Sequence, residues 1–353
     1  MKDKLLLYGA NGYTGQLIIE EALRNNIKPI LAGRSEKKLT SLAEQYGLEY
    51  KVFALEETEK LEQSLQNVKV VLHAAGPFIY TCKPMLQACL NTQTHYLDIT
   101  GEYQIFEFCA SRNDEAKQKG IMVMPGTGFD VVPSDCLAAY LKKNLTTAID
   151  LKLAFAGLKS GFSRGTAKTM VEGLGYGGMV RIDHKLINVQ NAYQSMNVDF
   201  GDFKTIAATI PWGDLSTAYI STGIPNIEVY MGITPQLLKQ MQRSNYLGWL
   251  FRQRWVKNIL LKQIDKRKPG PSEKQREEGR SYFFGRVADN AGNVKTAILK
   301  TPEGYKLTAL TSVNIAKKVL ENNFKPGYQT PSTAYTEKLI LEIPNCSLSD
   351  VKG

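Results

Sequence analysis

The sequence predicts an α/β protein: a doubly wound parallel sheet at the N-terminus, then an α+β domain on a mixed sheet. Three observations carry this reading. Short apolar segments alternate with helically spaced ones as far as Met124. A glycine turn, Gly9 to Gly15, joins the first strand to the first helix. Beyond Pro133 the strand candidates lengthen, and glycine becomes dense between Gly157 and Gly178.

The elements follow in order. Lys4 to Tyr8 is a short apolar run that ends at glycine, and Tyr13 to Arg24 places Leu17, Ile18 and Ala22 at helical spacing. Pro29 to Ala32 reads as the second strand. Ser35 to Tyr46 reads as a helix with Ser35 at its N-cap and Leu39, Leu42 and Ala43 on one face. Tyr50 to Phe53, Val68 to Ala74, Thr94 to Ile99 and Ile121 to Met124 are further strands. Glu57 to Leu65, Pro84 to Leu90 and Tyr103 to Lys119 are the helices between them, and Pro84 fits a first helical turn. Continuous apolar strands separated by helices indicate a parallel sheet covered on both faces. In the second half, Asp150 to Ala156, Phe203 to Thr209 and Glu228 to Met231 read as strands, Lys266 to Arg280 as a loop, and Leu307 to Asn322 as a helix.

The glycine turn Gly9, Ala10, Asn11, Gly12, Tyr13, Thr14, Gly15 lies between strand and helix. Glycines there let backbone approach a pyrophosphate, and the helix N-terminus offers N–H groups to the phosphate charge. This is the Rossmann arrangement, and it marks a dinucleotide site. The end of the second strand reads Gly33, Arg34, Ser35, Glu36, Lys37, Lys38. An NAD site places Asp or Glu at that strand end; here Arg34 is suited to fork onto a 2′-phosphate, with Ser35 and Lys38 assisting. NADP is therefore the expected cofactor. The fourth strand ends Ala74, Ala75, Gly76, Pro77, Phe78, small or rigid residues suited to lie along the ribose and nicotinamide, with Phe78 as a wall. His73 reads as a packed core histidine.

Composition bounds the rest. The chain has 353 residues, enough for two domains of about 150 each. Its five cysteines are scattered, with no C-x-x-C pair, which argues for a reducing compartment. No signal-peptide pattern and no run approaching about 18 apolar residues is present, so a cytoplasmic protein is expected. None of the 17 tyrosines is followed by lysine four residues later, which counts against the short-chain dehydrogenase and epimerase class. No metal-spaced histidine pair, Walker loop or G-x-S-x-G elbow occurs.

Together GANGYTG at 9–15, AGRSEKKL at 32–39, AAGPF at 74–78, THYLDITGE at 94–102 and GFDVVPSD at 128–135 resemble the saccharopine dehydrogenase-like family. The resemblance is to its trans-acting enoyl reductase and saccharopine dehydrogenase-like oxidoreductase branch. Pro269-Gly270-Pro271-Ser272 and the stretch Gly327 to Ser332 extend it. It implies an NADP-binding domain over 1–133, a substrate domain over 134–310, and a C-terminal segment, 311–353, that returns to the first domain and includes a closing helix from Pro331 to Leu341. It implies an NADPH-dependent oxidoreductase acting on an apolar enoyl, acyl or imine-type substrate in the cleft between the domains. The alternative is a non-catalytic NADP(H)-binding protein serving as a sensor or scaffold at a membrane surface.

Hydride reduction also needs a proton donor. His95, Asp98, Thr100 and Glu102 cluster after the fifth strand, and Asp130 and Asp135 follow the sixth. Asp98 and Asp130 are the catalytic candidates. Asp98 and Glu102 have a second reading as caps of the helix beginning near Tyr103. No metal site is expected.

The net charge of +10 is concentrated. Residues 236–286 hold 13 Lys/Arg against 4 Asp/Glu. Within them, 246–268 mixes Tyr246, Trp249, Phe251 and Trp255 with Arg252, Arg254, Lys257, Lys262 and the triplet Lys266-Arg267-Lys268. Such mixing suits peripheral contact with a membrane or an acyl carrier. The apolar positions gather on no single helical face, which favours short helices packed on the substrate domain. No nucleic-acid reader motif accompanies the charge. A small-molecule substrate is the expected partner, with a homodimer as candidate assembly.

Overall fold

The computed structural model describes residues 2–158 and 161–351. The first elements are β1 (Lys4–Tyr8), α1 (Tyr13–Arg24), β2 (Ile30–Gly33), α2 (Glu36–Tyr46), β3 (Tyr50–Val52), α3 (Thr58–Leu65), β4 (Val68–His73) and α4 (Phe78–Thr92). Then come β5 (His95–Asp98), α5 (Tyr103–Ser111), α6 (Asn113–Gln118), β6 (Met122–Met124), α7 (Val132–Asn144), β7 (Asp150–Leu158) and α8 (Arg164–Gly173). Next are β8 (Gly178–Ile182), β9 (Lys185–Val189), β10 (Ser195–Asp199), β11 (Lys204–Thr209), α9 (Asp214–Thr222), β12 (Asn226–Ile233) and α10 (Pro235–Ser244). The chain continues through α11 (Gly248–Phe251), α12 (Arg254–Asp265), α13 (Glu273–Glu278), β13 (Arg280–Ala288), β14 (Val294–Pro302) and α14 (Gly304–Leu320). It closes with β15 (Gly327–Tyr328), α15 (Pro331–Tyr335) and β16 (Ser347–Asp350).

These elements form two compact units, Met1–Val132 with Tyr305–Ala334, and Pro133–Gly304 with Tyr335–Gly353. The first holds a parallel sheet ordered β15-β6-β5-β4-β1-β2-β3. The order reverses between β1 and β4, where a doubly wound sheet opens a crevice at its carboxyl ends. The central strands β1 and β4 are mostly apolar, as in a parallel sheet covered by helices: Leu5, Leu6, Leu7, Val70, Val71 and Leu72 are all sealed from solvent. Helix α1 buries Ile18, Ile19 and Ala22.

The second unit is built on a mixed sheet whose main path is β10-β11-β12-β7-β13-β14-β16, with β8 and β9 attached at β12. Strands β7 and β12 run parallel, while β13 and β14 form a long antiparallel hairpin. Val198, Phe200, Ala207, Tyr230 and Tyr282 make one of its cores. Gly285 admits α7 to the sheet: a Cβ there would lie 2.5 Å from Leu141 Cδ1.

Four elements depart from the sequence expectations. Helix α4 starts at Phe78, so Pro84 lies inside it and not in its first turn. Residues 103–119 form two helices, broken at Arg112, whose guanidinium turns back to Glu115 and Gln87. The stretch 266–280 contains α13, started by a capping box in which Ser272 and Gln275 satisfy each other's backbone N–H groups. The expected closing helix Pro331 to Leu341 stops at Tyr335, because Thr336 adopts φ +69°. After a turn of 3₁₀ helix, Leu339–Glu342, the chain adds β16 to the mixed sheet. The segment returning to the parallel-sheet unit is therefore α14 and β15, and the residues from Tyr335 onward belong to the other unit.

Candidate cofactor site

The crossover from β1 to α1 is shaped by two glycines that the fold itself requires. Gly9 has φ +87° and donates its N–H to Ala32 O at 2.8 Å; a Cβ there would stand 2.9 Å from the backbone of Ala74 and Ala75. A Cβ on Gly15 would lie 2.4 Å from Gly9 O. Gly12 differs. Its φ of −75° suits any residue, and it precedes α1 without a capping side chain or an acidic residue in the first turn. The positive end of the helix is thus left for an anion. Asn11 turns toward β2, where a Cβ on Gly33 would lie 3.2 Å from its Oδ1.

At the end of β2, Arg34 and Lys38 are exposed and Ser35 is half-buried. Ser35 occupies the N-cap position of α2, yet its hydroxyl makes no cap hydrogen bond. Among the described residues, none of these three side chains is engaged in a hydrogen bond or ion pair. They fit a phosphate group, which would give each a partner.

At the end of β4, Ala74, Ala75 and Pro77 are half-buried and Gly76 is exposed, with a cis Gly76–Pro77 bond. Phe78 is buried, its ring edge-on against His73 with centroids 5.3 Å apart. His73 is fully buried, with Nε2 3.0 Å from Thr81 Oγ1, and burial pulls its pKa down to about 3. It is a neutral core residue.

Three carboxylates near the same strand ends have separate tasks. Glu102 precedes α5 without capping it. Its two oxygens instead accept the N–H groups of Phe78 and Ile79, at 2.8 and 2.9 Å, and so start α4. Asp98 is sealed from solvent, with Oδ1 accepting from Thr100 N and Gly126 N and Oδ2 from Tyr96. Burial lifts its pKa to about 6. These contacts make Asp98 a tie between β5 and the 126–127 turn. Asp130 remains half-buried beside Gly101, where a Cβ would lie 2.7 Å from Asp130 Oδ2. Desolvation, and then the charge of Glu102, raise its carboxyl to about 7. A carboxylic acid in that range can release a proton near neutral pH.

The loop bearing Asp130 is held by residues that the sequence reading did not single out. Thr308 Oγ1 accepts from Phe129 N at 3.1 Å, Thr311 donates to Thr127 O at 2.8 Å, and Tyr305 packs edge-on against Tyr13 at 5.2 Å. All three lie on α14, far along the chain, and only their small polar or aromatic character in an apolar helix hints at them. Among the described residues no His/Cys/Asp/Glu group is placed to hold a metal ion, and no helix is long and apolar enough to cross a membrane.

A doubly wound parallel sheet whose first strand turns on glycines into a helix has the architecture of a dinucleotide-binding domain. More particularly, residues 5–124 match the family model "Saccharopine dehydrogenase NADP binding domain", and the N-terminal unit carries that domain. The chain is similar to the human "Saccharopine dehydrogenase-like oxidoreductase", 27% identical over 53% of this chain and 49% of that one. It is also similar to the Mycobacterium leprae "Trans-acting enoyl reductase", 34% identical over 37% of this chain and 33% of that one. The chain thus spans about half the length, or less, of these relatives. In fold it matches apo saccharopine dehydrogenase (L-Glu forming) from Saccharomyces cerevisiae, with TM-score 0.67 and 12% identity, covering 99% of this chain and 100% of that one.

Proposed function

We propose that this protein is an NADPH-preferring reductase of an apolar enoyl, acyl or imine-type substrate. The observation that carries the reading is the trio Arg34, Ser35 and Lys38, two cations and a hydroxyl left without partners at the end of β2. Arg34 forks onto the 2′-phosphate, Ser35 donates to it, and Lys38 adds charge one turn later. Gly12 and the start of α1 receive the pyrophosphate, and the small residues Ala74 to Pro77 give the ribose and nicotinamide room. NADPH supplies a hydride when bound. Asp130 delivers the balancing proton, because the residue is only half-buried and its carboxyl holds its proton up to about pH 7. Asp98 positions the turn before Asp130 and does not itself react. The enoyl preference is supported by the likeness to an enoyl reductase, and the small-molecule character of the substrate by the oxidoreductase class.

The test is a substrate screen in two arms. Enoyl thioesters and keto acids with amines are each mixed with protein and NADPH, and loss of NADPH absorbance is followed. Turnover of one class, abolished by Asp130→Asn, is the expected result. Tight NADPH binding with no turnover of either class would leave a cofactor-binding protein in place of an enzyme.

A further inference from the structure

We propose that α10 and the turn after it form a headgroup site by which this protein docks on an anionic phospholipid surface. The proposal uses residues of the mixed-sheet unit alone and goes beyond the reductase reading.

A cavity of about 460 Å³ lies between the 190–193 segment and α10. Lys239 and Arg243 line it, one turn apart on the same helix, together with Asn191, Tyr193 and Tyr246. No carboxylate is among its lining residues. Among the described residues, neither cation is engaged in an ion pair or a side-chain hydrogen bond. The wall is held in place by amides: Asn245 Oδ1 accepts from Asn191 N at 2.8 Å and its Nδ2 donates to Asn191 O at 3.2 Å, while Asn191 Nδ2 reaches Ser244 Oγ. Two unspent cations in a fixed, carboxylate-free hollow match a phosphate anion.

The segment that continues the chain from the cavity says what carries the phosphate. Tyr246, 84% exposed, leads directly into Leu247 and then Trp249, which is 63% exposed. Helix α12 explains why the apolar residues here fit no single face. Lys257, Leu260, Leu261 and Ile264 share the inner side: Leu260, Leu261 and Ile264 pack with Ala167 and Val171 of α8, and Lys257 donates to Glu172 O. Trp255, Ile259, Lys262 and Lys266 share the opposite, exposed side. The helix therefore has two apolar stripes, one packed and one in solvent. A free phosphate ester has no use for exposed indoles and an isoleucine. A second copy placed face to face would set this basic segment, 13 Lys/Arg against 4 Asp/Glu over 236–286, against itself. An anionic phospholipid surface offers phosphate for Lys239 and Arg243 and an interfacial layer for the rings.

The full chain is floated with phosphatidylcholine vesicles, with and without phosphatidylserine, at low and high salt. Binding only to the phosphatidylserine vesicles, weakened by salt, is expected. Lys239→Ala with Arg243→Ala should weaken it about 30-fold, given roughly 1 kcal/mol per cation at an anionic surface. Trp249→Ala with Trp255→Ala should weaken it while leaving the inner face of α12 intact. Calorimetry with NADPH on every variant keeps the two proposals apart, since cofactor affinity should not change. No binding of wild type to anionic vesicles overturns the proposal. So does binding that neither pair of substitutions affects, or glycerophosphoserine occupying the cavity while vesicles do not bind. Self-association lost in the tryptophan variant would instead assign the ridge to a second copy.

Discussion

The hydroxyl of Thr311 donates to the carbonyl oxygen of Thr127 at 2.8 Å. A helix from late in the chain thereby fixes the turn that precedes Asp130, and Thr308 adds a second hold at Phe129. Thr311→Val removes one buried hydrogen bond and leaves the Thr127 carbonyl unmet by that hydroxyl. A stability loss of about 1–3 kcal/mol is expected in urea unfolding. If the turn positions Asp130, kcat should fall more than NADPH affinity; equal losses in both would mean that the tie serves folding alone.

Arg34→Ala tests cofactor choice. Loss of a charge-assisted hydrogen bond to the 2′-phosphate should weaken NADPH by about 1.5–3 kcal/mol and leave NADH nearly unchanged. Calorimetric titration of both cofactors reads this directly. Tighter NADH than NADPH in the wild type would remove the basis for the assignment.

The three glycines of the first turn should separate by phenotype. Gly15→Ala and Gly9→Ala drive a Cβ into backbone at 2.4 and 2.9 Å, so thermal unfolding should show large losses. Gly12→Val has an ordinary φ and a 3.1 Å contact with Gly9 O, so the protein should fold. It should nevertheless lose NADPH, because the branched side chain occupies the pyrophosphate approach. A folded Gly12→Val protein with normal NADPH affinity would contradict the assigned role.

Asp130 gives two pH effects of known sign. As proton donor it acts in the protonated form, so kcat/KM should be flat at low pH and fall above about pH 7. Glu102→Gln removes the neighbouring charge, so that limb should shift to lower pH. For stability, the folded carboxyl is raised to about 7 from an ordinary value of 3.8. The native state then binds more protons than the unfolded chain across that window, and stability falls as pH rises through it. Asp130→Asn should flatten this decline in denaturant midpoints measured from pH 4 to 8. An unchanged slope would place the titration elsewhere.

What the sequence made legible was local. The glycine turn, the Arg34 to Lys38 run and the strands of the parallel sheet are contiguous, and their places at the strand ends follow from spacing alone. The rest depends on contacts between distant segments. Glu102 caps a helix that begins 24 residues earlier, not the one it precedes. Nothing in the alternation of residues 74–78 shows that Phe78 turns inward to His73. Asp98 and Asp130 look alike as acidic residues after strands, and only the degree of burial separates the sealed residue from the half-buried one. The two apolar stripes of α12 blurred its periodicity, since a single-face pattern is what sequence reading detects.

The interleaving of the two units has a consequence for synthesis. Strand β6 emerges long before β15, which pairs along it, and α14 arrives only after the whole mixed-sheet hairpin has been made. A nascent chain that has just completed β6 carries an unpaired parallel edge, with the loop of Asp130 untethered. That edge invites wrong pairing until the later segment docks. The segment up to β6 should therefore be a part of this chain in need of a chaperone on the ribosome, although it carries most of the proposed cofactor site.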